Sequence, residues 1–172
     1  MKRIKDILNL PVIALDTGQK IGSVIDVIYS VSQRRLIGLL IEKVALINSK
    51  LVITPENIIN IGNDTVTITS NNALYKPSSI PDVYQAMAEQ GFNNQRLISR
   101  AGDELGIIDD LVIDENSGIL VALDISGGII SDLIYGRKRI ELPNSFSLSK
   151  SNCILQKGVK DESLLNDLSD MW

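Results

Sequence analysis

From Lys20 to Tyr29 apolar side chains recur at about every second position, at Ile21, Val24 or Ile25, Val27 and Tyr29, with many β-branched residues among them. That period predicts a strand with one buried face. Ser30 to Arg34 then reads as a turn, Leu36 to Glu42 as an aliphatic strand, and Leu51 to Thr54 as a strand closed by Pro55, which cannot donate to a ladder. Thr65-Val66-Thr67-Ile68-Thr69 alternates strictly after the turn residues Gly62-Asn63-Asp64. The same order returns later in the chain. Asp16 to Asp26 aligns without a gap on Arg100 to Asp110 at an offset of 84, which places Gly18, Gly22 and Asp26 on Gly102, Gly106 and Asp110. Leu36-Ile37-Gly38-Leu39 meets Leu120-Val121-Ala122-Leu123 at the same offset. Beyond that point Pro55 aligns with Pro143 and Val66 with Ile154, an offset of 88, so four extra residues are expected in the loop from Gly127-Gly128 to Gly136. A repeat of five or six short strands suggests a small barrel that removes its sheet edges by closure.

Between the copies, Ser79 to Gly91 has a capping Ser, an early Pro81, Asp82 in the first turn and a terminal Gly, and so predicts a short connecting helix. The tail from Lys160 to Leu168 starts with acidic residues and carries leucines at i, i+1 and i+4, which suggests a second short helix. The expected division is a first barrel over 1–76, a connector over 77–93, a second barrel over 94–158 and a helical tail over 159–172.

Gly18-x3-Gly22-x3-Asp26, Leu10-Pro11-Val12-Ile13, the Leu36 to Ile41 run, Leu51 to Pro55 and Ile61 to Ile68 together resemble the PRC-barrel family. That family is named after the cytoplasmic domain of the photosynthetic reaction centre H subunit and includes a domain of a ribosome maturation factor. The second copy fits through Gly102, Gly106, Asp110, the Asp114 to Gly118 turn and Pro143, and departs at its insertion and at Ser151-Asn152. The resemblance implies a mainly β chain of two tandem small PRC-type barrels. The family pattern brings no catalytic residues, so the role it implies is docking or scaffolding.

Composition fits that expectation. The 172 residues include 26 isoleucines, 21 leucines and 11 valines but only seven aromatics, so aliphatic strands build the core. With no histidine, imidazole acid-base work, histidine-dependent nucleophiles and His-ligated metal sites are excluded. The single Cys153 excludes an intrachain disulfide and a CxxC redox pair. Net charge is −4, divided as +3 over residues 1–80 and −7 over 81–172. No apolar run approaches the ~20 residues of a bilayer span, and no cleavage signature follows Met1-Lys2-Arg3, so a cytoplasmic protein is expected.

Three clusters are candidates for chemistry. The glycine pairs lack the order of a phosphate loop; the expected roles are a positive-φ turn at Gly18 and Gly102 and close strand packing at Gly22 and Gly106. Asp109, Asp110, Asp114, Glu115 and Asp124 form an acidic cluster, but a calcium loop starting at Asp114 would need its twelfth-position Glu where Ile125 stands. The basic run Arg137-Lys138-Arg139, with Arg34-Arg35, can meet RNA phosphate or acidic lipid, or act as a guard against edge pairing. Cys153 has no activating neighbour, and Trp172 ends the chain as a packing residue or a partner anchor. The expectation is a non-enzymatic adaptor that binds a protein partner, with no cofactor and no metal. The alternatives are an RNA-associated ribosome maturation factor and a peripheral component of a membrane electron-transfer complex.

Overall fold

The computed structural model describes residues 1–43, 50–89, 94–98, 102, 104–127, 138–142 and 153–154. Within the first half the alternating segments become β2 (Pro11–Ala14), β3 (Lys20–Ser30), β4 (Arg35–Lys43), β5 (Lys50–Ile53), β6 (Ile58–Ile61) and β7 (Val66–Ile68). They form one sheet in the order β5-β4-β3-β2-β7-β6. The connector is α2 (Pro81–Glu89), preceded by a 3-10 turn at Pro77–Ser79. Then come β8 (Arg96–Ile98), β9 (Glu104–Ile113), β10 (Leu120–Ser126), β11 (Lys138–Glu141) and β12 (Cys153–Ile154). Their order is β11-β10-β9-β8-β12. Thus the chain is mainly β, in two sheets.

Two elements at the start were not legible. β1 (Lys2–Arg3) and the one-turn helix α1 (Ile4–Ile7) precede the first sheet, yet β1 joins the second, with Lys2 opposite Ile113 and Arg3 opposite Val112. Nor does any strand pairing close either sheet among the described residues. In the first, the end strand β5 is instead covered at Val52 by Tyr75 through two backbone hydrogen bonds of 2.8 and 3.0 Å, and a 3-10 turn at Pro55–Asn57 stands between β5 and β6. The expected tail helix lies outside the described residues.

The two halves repeat each other in register. Val24 faces Ile41, Asp26 faces Leu40, Val27 faces Leu39 and Tyr29 faces Leu36; Ile108, Asp110, Leu111 and Ile113 face Ile125, Asp124, Leu123 and Leu120, each residue shifted by 84. Both hairpins also carry irregularities at the same two places. The entrance repeats as well: Asn9 and Asn94 take positive φ of 66° and 67°, and their amides donate to Val24 O and Ile108 O. In the later strands the shift is 87, since Ile140 faces Leu123 as Ile53 faces Leu39. The insertion before β11 is therefore three residues, against the four expected from aligning prolines. Similarly, Cys153 pairs with Leu97 as Val66 pairs with Val12, so it takes the place of Val66 and not of Thr65.

One apolar core runs through both sheets. Val12, Val27, Leu39, Ile53 and Val66 from the first half share it with Leu97, Ile108, Leu111, Leu123 and Ile140 from the second, and Ile4 and Ile7 of α1 join it. A smaller cluster lies on the far face of the first sheet, where Ile28, Ile37, Leu40 and Val52 are covered by Val83 and Ala86 of α2. Helix spacing places those two residues on one side of α2 and leaves Tyr84 and Met87 exposed.

Candidate functional site

Gly18 and Gly102 take φ of 67° and 97° in open space, where a side chain would be strained but would touch nothing. Gly22 and Gly106 are crowded instead. A Cβ on Gly22 would lie 2.2 Å from Glu42 O, and one on Gly106 2.8 Å from Ser126 O. These glycines let neighbouring backbones close up and present no ligand cradle.

Asp26 and Asp110 occupy the same strand irregularity, where the ladder skips a residue. Each carboxylate accepts the amide N–H of the next residue at 2.8 Å, Val27 for Asp26 and Leu111 for Asp110. Asp110 is fully buried and also accepts the Lys5 amide of α1 at 3.1 Å. Burial pushes its carboxyl above the ordinary value of 3.8, against the pull of those two amides. Because its folded-state pKa is raised, ionisation weakens the fold as pH rises through that value. Asp110→Ala is therefore expected to cost about 1–3 kcal/mol by leaving the buried Leu111 amide and the half-buried Lys5 amide unmet. The deficit should be largest below pH 3.8 and shrink toward neutral pH, which urea unfolding at several pH values measures.

The remaining acidic residues also have internal partners. Lys5 Nζ pairs with Asp109 at 2.8 Å, the Met1 amino group pairs with Glu115, and Asp114 accepts hydrogen bonds from the Ser117 amide and hydroxyl and the Asn116 amide. The Ser117 amide bond is the main cause that lowers the Asp114 pKa, and the Met1 ammonium lowers that of Glu115. Among the described residues no three carboxylates or thiols converge as metal ligands.

Within the basic run, Arg139 donates from Nε and Nη2 to both oxygens of Asp124 at 2.7 and 2.9 Å. Lys138 stands exposed on β11, while Arg137 lies outside the described residues, as does Trp172. Asp124 and Arg139 occupy the register places of Leu40 and Val52. Installing that apolar pair, D124L with R139V, is expected to leave stability unchanged or raise it by about 1 kcal/mol, because a fork-shaped ion pair must offset its own desolvation. R139V alone should cost about 2 kcal/mol by stranding the buried carboxylate, less than for a fully buried pair since Arg139 is 46% exposed. Thermal unfolding of the two variants compares them.

The halves meet through their hairpin ends. Leu36 N donates to Gly118 O at 2.7 Å and Leu120 N donates to Arg34 O at 2.9 Å, with Arg35 bridged to Ile119 between them. Each of these partners is the other's counterpart at the shift of 84, so a local two-fold passes between Arg35 and Ile119. Beside it lies an open cleft of about 150 Å³ lined by Leu36, Pro55, Ile58, Ile59 and the turn from Glu115 to Gly118. It continues into a second of about 260 Å³ that shares Leu36, Pro55 and Ser117 and adds Arg35, Glu56 and Asp82. Ile59 and Ile119 are exposed by 49% and 46%. Of these residues only Arg34-Arg35 and Glu115 stand out from the sequence as candidates, none of them for a cleft; the alignment of Arg34 on Gly118 is the signal that points there.

Comparison with known proteins places this geometry. The chain is 25% identical over 169 residues to the uncharacterized protein YrrD of Bacillus subtilis (strain 168), a match covering 96% of this chain and 88% of the relative, and therefore both halves. The model of the PRC-barrel domain matches residues 1–75, the segment that ends where β7 has been laid beside β2 and Tyr75 has covered β5. The first sheet, with the residues that lead into it, is accordingly the part of the chain that is similar to the PRC-barrel domain.

Proposed function

We propose that the chain is a non-catalytic docking module made of two PRC-type units, of which residues 94–158 form the second. The second unit is supported by the repeated strand order and register, the paired positive-φ asparagines and the doubled aspartate irregularity. The docking role is carried by one observation: the cleft beside the local two-fold holds exposed apolar Ile59 against fixed turns from both halves. Open apolar surface rimmed by polar groups is a common feature of sites that receive another macromolecule. Asp109, Asp110, Asp114, Glu115, Asp124 and Arg139 are meanwhile engaged in holding strands, turns and arms together, which supports structural work for them in place of proton transfer. No helix among the described residues is long and apolar enough to cross a membrane. The membrane-complex reading draws on the family's namesake alone, and the pairing of Arg139 with Asp124 reduces the basic run on which the RNA-associated reading depends.

A photo-cross-linking residue at Ile59 of the full chain, in native lysate, tests the reading against the same probe at Leu15, which is 57% exposed away from the cleft. The expected result is a discrete protein adduct from Ile59 that Leu15 does not give. Equal labelling from both positions, or turnover of a small metabolite by the purified chain, would contradict it.

A further inference from the structure

We infer that the cleft beside Gly118 is a seat for the guanidinium group of an arginine carried by a protein partner. The inference deepens the docking reading and rests on it. Its ground is the asymmetry of an otherwise two-fold junction. On one side of the axis, Arg34 Nη2 donates to Leu120 O at 3.2 Å and Leu142 O at 2.9 Å, so a guanidinium closes the end of the second sheet. On the other side the residue equivalent to Arg34 is Gly118. Both adopt the left-handed backbone, with φ of 54° and 70°, so the turn is the same and only the side chain is missing.

The counterparts of the two acceptor residues are Leu36, at the shift of 84, and Pro55, at the shift of 87 that β11 follows. Both line the open cleft. The first half therefore offers, empty of any side chain at Gly118, a place comparable to the one that the second half fills with Arg34, although the Pro55 carbonyl there also accepts the Ile58 amide and has one lone pair left for a guanidinium. Charge favours the same occupant. Glu115 borders the cleft, and Glu56 and Asp82 border its extension against the single cation Arg35. Glu115 already faces the Met1 amino group and Glu56 accepts the Thr54 hydroxyl, so their charge acts as a field more than as a direct clamp. Ile58 and Ile59 supply an apolar wall for the methylene stem. Arg34 reaches both carbonyls from the single nitrogen Nη2, and a guanidinium, being delocalised and more weakly hydrated, suits a partly apolar cleft better than a compact, strongly hydrated lysine ammonium.

Titration of the isotope-labelled full chain with N-acetyl-arginine amide, followed by amide chemical shifts, tests the seat. The lysine and citrulline amides are the controls. The expected result is saturable shifts at Leu36, Ile59, Ser117 and Gly118 with the arginine compound, binding at least about tenfold weaker for the citrulline compound, as loss of a charged hydrogen bond implies, and weaker binding for the lysine compound, whose ammonium is more strongly hydrated. G118R, whose side chain reproduces Arg34 across the two-fold, should abolish the effect. Its new Cβ would lie 3.3 Å from that of Leu36, so R34G is the companion variant: it opens the counterpart seat, and the arginine amide should then also shift Leu120 and raise the melting temperature. Equal responses to arginine and lysine amides, shifts lying elsewhere, or no saturable shift would overturn the inference. If cross-linking from Ile59 still yields its adduct, the docking reading survives that outcome and only the arginine seat is lost.

Discussion

Gly22→Ala is expected to destabilise the chain by about 3 kcal/mol or more, in the upper range for overpacking. Gly22 lies between β2 and β4, opposite Val12 and Lys43. Its new Cβ would stand 2.2 Å from Glu42 O and 2.8 Å from Ile41 Cγ2. A backbone oxygen cannot swing aside as a side-chain tip can, so relief requires β3 and β4 to separate. Gly18→Ala makes the contrast. It meets nothing within 4 Å and bears only the cost of a left-handed backbone at φ 67°, about 1–2 kcal/mol. Urea unfolding of the two variants separates steric from conformational roles for glycines only four positions apart. Equal losses would mean that the close approach of β3 and β4 is not as described.

The second large effect is expected from Leu111→Ala. Leu111 is 1% exposed and sits in the core that both sheets share, so truncation should cost about 2–5 kcal/mol through lost burial and a residual cavity. Its register counterpart is Val27, fully buried in the same core. Because both lie in one packed volume, the loss should appear as a shift of a single unfolding transition and not as early melting of the second half. Calorimetry shows which occurs: two resolved transitions, with only one displaced, would mean that the halves are energetically separate.

Strand positions were legible because each half-buried strand writes its own period of two, as Thr65 to Thr69 and Lys20 to Tyr29 do. The duplication was legible because Gly22 and Gly106 must each admit a neighbouring backbone, which leaves the same residue at the same spacing. Pairing across long separations leaves no such local mark. Lys2-Arg3 reads as a charged terminus, yet finds its ladder partners at Ile113 and Val112, and nothing in those two residues points to that strand. Aligning Pro55 with Pro143 overcounts the three-residue insertion by one, because the prolines look alike whereas register follows the facing pairs Leu39 with Ile53 and Leu123 with Ile140.

Of the site, the acidic residues were visible but not their work. A carboxylate at Asp26 or Asp110 signals polarity, while its bond to the next amide depends on a strand irregularity that only the three-dimensional ladder reveals. Arg139 was visible as part of a basic run, though its charge is turned inward to Asp124. The cleft leaves only the alignment of Arg34 on Gly118 as its mark, for a further reason. It arises where a turn of one half meets a strand end of the other, and the difference that opens it is Gly118 in place of an arginine.

Native-state hydrogen exchange on the full chain and on L111A tests the central claim that the two halves form one cooperative body about the local two-fold. The account expects protection of the core amides of Val27, Leu39 and Ile41 in the first half to fall by the same factor as that of Leu123 and Ile125 in the second, since all are lost in one global opening. Unchanged protection in the first half, with loss confined to the second, would contradict it.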